Sequence, residues 1–296
     1  MIKILPINKI DASNINRLVT GILPFDNFLG GGFVPGSAVI LAGEPGVGKS
    51  TLMLQIANAL AKNFIVLYAS GEENLGQIKL RADRLGTLNP QIWCSESINL
   101  EELYRIMGEL NPQFIIIDSL QMLYSKSLKQ APGTPSQMKY GLSSLIDYVK
   151  ENNKVLIAIG HSTKSGLIAG LMTLQHMVDV VLFMTILDGN SRQLFSKKNR
   201  FGPSQISWEI EISERGFIDK NENLGDLGIS MEFCENPIES QTIRLNYEKI
   251  QELLATDNFI NRAAIKNNFR WLFQRAFGTN DLTKINKYDI LFKLKK

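Results

Sequence analysis

Gly43-Glu44-Pro45-Gly46-Val47-Gly48-Lys49-Ser50-Thr51 fits G-x-x-x-x-G-K-[ST] at every fixed position. Before it, Ala38–Ala42 is an apolar run that reads as a buried parallel strand. After it, Thr51–Ala57 places apolar residues at helical spacing. Strand, glycine-rich loop and helix are the context such a loop requires, so the nine residues predict a nucleoside triphosphate site. The glycines let the backbone curl so that its N–H groups point inward at phosphate oxygens. The helix N-terminus adds the positive end of its dipole. Lys49 supplies a point charge for the β- and γ-phosphates, and Ser50 offers a hydroxyl to Mg²⁺. A nucleoside triphosphate and Mg²⁺ are therefore the expected ligands, with Gly43 through Thr51 as the cradle.

The surrounding sequence extends the alternation. Strand-like runs occur at Phe64–Ala69, Phe114–Asp118, Val155–Gly160 and Val178–Met184. Helical patterns lie between them at Leu52–Lys62, Gly76–Leu85, Leu100–Leu110 and Ser136–Glu151. Strands separated by helices predict an α/β fold, a mainly parallel central sheet flanked by helices. After Gln193 shorter strands are expected, and Ile206–Ile212 alternates cleanly. The polar, glycine-containing stretch from Asp219 to Gly228 suggests a boundary, giving a core over 1–227 with a short lead-in and a separate segment over 228–296.

Composition agrees with a globular chain. The 296 residues are 44% hydrophobic and 21% charged, and no apolar run approaches a membrane span of about 20 residues. Met1–Ile10 has no small-residue cleavage site, so a cytoplasmic protein is expected. Cys94 and Cys234 cannot form a C-x-x-C pair and read as unpaired thiols. From Gln241 to Lys296 there are 11 Lys+Arg against 5 Asp+Glu, whereas the whole chain is only +3. A basic tail on a slightly acidic core has two readings, an anionic partner such as nucleic acid or solvated helix faces.

Several strand ends carry chemistry. Asp118 closes an apolar strand where it would hold Mg²⁺ directly or through water. Tyr68–Glu73 ends another strand in two carboxylates; Glu72 is the candidate base for the attacking water and Glu73 its alternate, although acids also favour helix starts. His161, at a further strand end, could sense the γ-phosphate by hydrogen bonding, although a lone histidine carries no such signal by itself.

The chain resembles the bacterial RadA (Sms) family of recombination ATPases in the RecA superfamily, from about Thr20 to about Asn221. The resemblance is carried by Leu29-Gly30-Gly31-Gly32, Val34-Pro35-Gly36-Ser37, the phosphate loop, Tyr68–Glu73, Gln77–Gly86 and Ile117-Asp118-Ser119. It continues through Pro132-Gly133, Ser136-Gln137, Gly160-His161, Thr163-Lys164, Ile168-Ala169-Gly170 and His176–Asp179, and is most specific at Lys198-Asn199-Arg200-Phe201-Gly202. It implies a ring-forming homo-oligomer, a hexamer in expectation, that hydrolyses ATP at subunit interfaces and moves on single-stranded or branched DNA in recombination and repair. It further implies that Lys198 and Arg200 reach a neighbour's γ-phosphate, and that Tyr124–Pro135 and Lys164–Thr173 are DNA-facing loops. Lys126, Lys129 and Lys164 are the cations of those loops, to be weighed against ordinary exposed lysines. The family's zinc module and Lon-protease-like domain are not expected here. Segment 228–296 reads either as a small winged-helix module or as a helical cap. A DnaB-like helicase and a regulatory RecA-like oligomer, in which ATP gates assembly, are the competing functions; the pentapeptide argues against the first.

Overall fold

The computed structural model describes residues 6–9, 16–161 and 174–219. The expected boundary near 227, the basic tail and Lys164 lie outside the described residues.

Apolar runs become strands here because each is buried on both faces. β1 (Ala38–Gly43), β2 (Val66–Ser70) and β4 (Phe114–Asp118) are buried at every position, and β5 (Val155–His161) at all but the last. Such strands need helices on both sides. Alternate residues accordingly enter two cores. Val39 and Leu41 of β1, with Phe114 and Ile116 of β4, pack against α1 (Leu23–Phe28), α2 (Lys49–Leu60) and α3 (Leu75–Leu85). Ala38, Ile40, Ile115 and Ile117 face the other way, against α4 (Leu100–Leu110) and α5 (Pro135–Asn152). The period of two along each strand is what divides the core into these layers.

Adding β3 (Ile92–Ser95), β6 (Val180–Ile186), β7 (Ser191–Asn199), β8 (Ile206–Ser213) and β9 (Gly216–Asp219) completes a nine-stranded sheet of order β3-β2-β4-β5-β1-β6-β7-β8-β9. It is parallel from β3 through β6 and antiparallel from β6 through β9. The four expected helices and five expected core strands are all present, with ends shifted by at most three residues and not at all at Phe114–Asp118 or Leu100–Leu110. β3 and α1 are additions. β3 is a partly exposed edge of four residues, and α1 has only six, too few for a periodic signal.

Register aligns the strand ends that matter. Gly43 of β1 pairs with His161 of β5, and Ser70 of β2 pairs with Asp118 of β4. These residues therefore share one rim, at the carboxyl ends of the parallel strands, where open α/β sheets bind ligands. No helix among the described residues is long and apolar enough to cross a membrane.

Candidate active site

The phosphate loop leaves β1 at Gly43 and enters α2 at Lys49. Gly46 and Gly48 hold φ of +75° and +109°, a region that L side chains rarely adopt. Lys49 Nζ folds back to donate to Gly43 O at 2.9 Å and Glu44 O at 2.8 Å. Burial lowers its pKa, while Asp118 and Glu72 act to hold its charge. Ser50 and Thr51 open the first turn of α2 beside it.

Asp118 is buried at the end of β4, and its two oxygens differ. Oδ2 accepts from the Tyr68 hydroxyl at 2.6 Å, whereas Oδ1 is buried without a hydrogen-bond partner. Burial and the adjacent Asp118 charge push the Tyr68 pKa well above its ordinary value, so the phenol remains a donor. Tyr68 thus fixes one carboxylate oxygen and leaves the other directed at no protein group. That geometry fits a cation at Asp118, and Ser50, at the start of α2, would be its second protein ligand. No group of three His, Cys, Asp or Glu side chains among the described residues forms a closed cage. A Mg²⁺ here would take its other oxygens from phosphate and water, as this ion usually does.

The two glutamates diverge. Buried Ser70 Oγ accepts from Glu72 N at 3.3 Å and Glu73 N at 3.1 Å, holding the turn that presents both. Glu73 then turns to α3 and ion-pairs with Arg81, its second oxygen buried and unpartnered. Burial raises its pKa despite Arg81, with Asp118 and Glu72 adding to the rise. Glu72 turns to β5, where its Oε1 lies 2.6 Å from His161 Nε2. Burial alone would raise its pKa, but the nearby Ser119 hydroxyl, His161 and Lys49 outweigh it and bring it below the ordinary value. The Ser119 hydroxyl makes no hydrogen bond of good geometry, so its influence is that of a nearby dipole. Of the two carboxylates, Glu72 is the more exposed, 36% against 23%, and its Oε2 lies outside the bond to His161.

Lys198 and Arg200 sit elsewhere. Val180 of β6 pairs with Asn199 of β7, which places the pentapeptide at the opposite rim of the sheet from Gly43. Arg200 N donates to Asp179 O, and its guanidinium meets Asp179 Oδ1 at 3.0 Å. Asp179 Oδ2 in turn accepts from Ala38 N, the first residue of β1. The five residue steps from Ala38 to Gly43 put Arg200 about 17 Å from its own phosphate loop. Lys198 Nζ is held by Gln175 O and Val178 O; burial and neighbouring Arg200 lower its pKa.

This rim is packed by close glycine contacts. A Cβ on Gly30 would meet Pro203 Cδ at 2.8 Å and Gly202 Cα at 2.9 Å. Asn199 Nδ2 donates to Leu29 O, and Arg17 donates to both Gly32 O and Phe201 O. Leu29–Gly32 is thus the seat on which the pentapeptide rests.

Lys126 and Lys129 are exposed after β4. The first part of that segment is fastened rather than loose: Gln137 bonds Ser125 on both sides of its backbone, and Ser125 Oγ meets Glu101. The Ser125 hydroxyl, with the Lys126 and Glu101 N–H groups and Asn99, overcomes partial burial to bring the Glu101 pKa to about 2. Lys126 Nζ lies 3.3 Å from Glu102 Oε1. Lys129 has no such carboxylate among the described residues and is the freer cation.

The family model described as an AAA domain matches residues 9–166, more than half of the chain. The chain belongs to this family. It is also 37% identical over 215 residues to the DNA repair protein RadA of Streptococcus pneumoniae (strain ATCC BAA-255 / R6), covering 71% of this chain and 50% of that protein. To the DNA repair protein RadA of Bacillus subtilis (strain 168) it is 39% identical over 219 residues, covering 72% and 47%. The chain spans about half the length of the relatives it matches. Among solved structures it is similar to the KaiC-like protein PH0186 of Pyrococcus horikoshii OT3, with a TM-score of 0.58 at 20% identity, covering 69% of this chain and 99% of that one. It is also similar to the RadB recombinase, at 0.52 and 24%, covering 68% and 99%. The AAA-domain family and these neighbours agree with the α/β fold described above: this is a RecA-like ATPase core, similar in sequence to that of RadA.

Sequence reasoning missed three participants on the nucleotide rim. Tyr68 carries no signal beyond a strand aromatic, Arg81 looks like any helix-face cation, and Arg192 looks like a polar position on a strand. Only the crossing of elements brings them to the loop and its carboxylates.

Proposed function

We propose that this chain is the ATPase core of a RadA-type DNA motor, a cytoplasmic homo-oligomer, ring-shaped and most simply hexameric, with ATP between subunits. Its substrate is single-stranded or branched DNA in recombination and repair. The observation that carries the reading is the separation of Arg200 from its own phosphate loop. A finger at the far rim serves a nucleotide only if a second copy supplies that nucleotide.

In this scheme the phosphate loop and Lys49 cradle the triphosphate, and Ser50 and Asp118 hold Mg²⁺. When bound, the ion neutralises charge on the β- and γ-phosphates. Glu72 accepts a proton from the attacking water as its oxygen bonds the γ-phosphorus and the bond to ADP breaks. His161 reports the γ-phosphate to Glu72 through their shared hydrogen bond. Lys198 and Arg200 of a neighbour stabilise the charge that develops, an effect of roughly 10³–10⁵ in rate for such fingers. Lys129 and Lys164, with Lys126, track DNA phosphates without reading bases. Support for DNA as substrate comes from the name of the relatives, DNA repair protein RadA.

ATP turnover with and without single-stranded DNA, run beside mass measurement in solution, tests this. Turnover that rises with DNA in a nucleotide-bound oligomer is expected. Full turnover by a monomer ends the reading; an oligomer whose turnover ignores DNA leaves a regulatory ATPase in its place.

A further inference from the structure

Arg192, near the start of β7, is 9% exposed, yet no ion pair reaches it among the described residues. Its guanidinium meets backbone oxygens instead. Nε donates to Val47 O at 3.2 Å, and Nη1 to Gly189 O at 2.9 Å and Ser191 O at 3.0 Å. A buried cation without a counter-charge is costly, and carbonyl dipoles compensate it only in part.

One of those carbonyls belongs to the phosphate loop. In a planar trans peptide the C=O and the following N–H point in opposite directions. Holding Val47 O on Arg192 therefore turns the Gly48 N–H away from Arg192. The loop is braced on a second side as well: a Cβ on Gly43 would meet Met184 O of β6 at 2.5 Å and Val47 Cγ1 at 3.2 Å. Val47 is fully buried between these supports.

We propose that Arg192 is a positioning residue of the phosphate site: it orients the Val47–Gly48 peptide so that the Gly48 N–H faces the nucleotide, and the bound polyphosphate balances its buried charge. This rests on reading Gly43–Thr51 as the phosphate site. Because the action is on the loop, it applies to ADP and ATP alike, unlike that of Glu72 or Arg200.

The test measures Kd for Mg²⁺–ADP and for a non-hydrolysable Mg²⁺–ATP analogue, with melting temperatures in their absence and presence, for the wild type, Arg192→Met and Arg192→Lys. Arg192→Met is expected to weaken both nucleotides by about tenfold or more, the size of a charged hydrogen bond, with a smaller nucleotide-induced rise in Tm. Arg192→Lys, which keeps the charge but not the planar fork, is expected to recover part of the loss. Wild-type affinity in both variants overturns the proposal, as does an affinity loss that follows a fall in unliganded Tm in both. If Arg192→Met does not fold, Arg192→Lys decides alone: weakened affinity at an unchanged unliganded Tm upholds the proposal, and unchanged affinity overturns it. If the wild type binds neither nucleotide, the phosphate-site reading fails instead.

Discussion

Glu72 and His161 meet across the rim of the sheet, Oε1 to Nε2 at 2.6 Å, from the ends of β2 and β5. The candidate base is thus already bonded to the candidate phosphate sensor. A carboxylate so bonded through one oxygen keeps Oε2 for a water, and a change at His161 would be felt directly at Glu72.

Glu72→Gln keeps the shape and removes the base. Turnover is expected to fall by roughly 10²–10⁴, while the Kd for Mg²⁺–ATP changes little. Glu73→Gln removes the Arg81 ion pair and is expected to cost far less activity. The pH profile separates the two independently. Glu72 has a pKa below the ordinary 4.5, so it remains a base until the pH falls beneath that value. Glu73 lies above 4.5. An acid limb of kcat/KM above 4.5 would favour Glu73 and sink the assignment of Glu72.

Lys49→Ala removes the cation that the loop itself carries. Hydrolysis is expected to vanish and nucleotide affinity to drop by about two orders of magnitude, in the range of a lost charge-assisted contact. Burial lowers the Lys49 pKa, so in the wild type the charge is lost as pH rises, beginning below the ordinary 10.5. ATP affinity measured across that alkaline range should decline with it. A flat profile would mean that Lys49 does not contact the phosphates.

Arg200→Ala is expected to bind ATP normally and to lose turnover. Mixing it with Lys49→Ala is the sharper experiment. The first protein has an intact pocket and no finger; the second has the reverse. Where the pocket of one meets the finger of the other, a complete site forms, and part of the activity should return if subunits exchange. No recovery in demonstrated mixed assemblies would place Arg200 outside trans catalysis or require every site to be intact.

Gly30→Ala tests how the finger is held. The residue has a φ of +86°, and the new Cβ would press on Pro203 and Gly202. A loss of about 1–2 kcal/mol in stability is expected from the backbone conformation alone. Turnover should fall more than ATP affinity, because the seat of the pentapeptide moves while the phosphate loop does not. Equal loss of both in assays of the folded variant would refute that seat.

DNA affinity is expected to fall steeply with salt and to depend little on sequence. Glu102→Gln removes the carboxylate beside Lys126 and should strengthen binding to single strands, whereas Lys129→Ala should weaken it more than Lys126→Ala does. Binding that is indifferent to both lysines would move the DNA contact elsewhere.

Five of the six parallel strands were legible because their signals are local. A strand buried on both faces is a continuous apolar run, and a loop that curls around phosphate must carry its glycines and its lysine at fixed offsets; neither depends on distant residues. For the same reason Asp118, Glu72 and His161 could be picked out as strand ends, although nothing local says which of Glu72 and Glu73 is free. That choice is made by Arg81, which reaches Glu73 from α3, and by the β5 register that sets His161 against Glu72. The tertiary structure alone decided that Tyr68 occupies one oxygen of Asp118, that Arg192 grips Val47, and that Lys198 and Arg200 stand at the far rim. Each of these joins residues from different elements, and the antiparallel pairing of β6 with β7 turns the chain back by nine residues of strand. A sequence motif fixes which groups a segment carries; only the packing of one element on another fixes the distance between them.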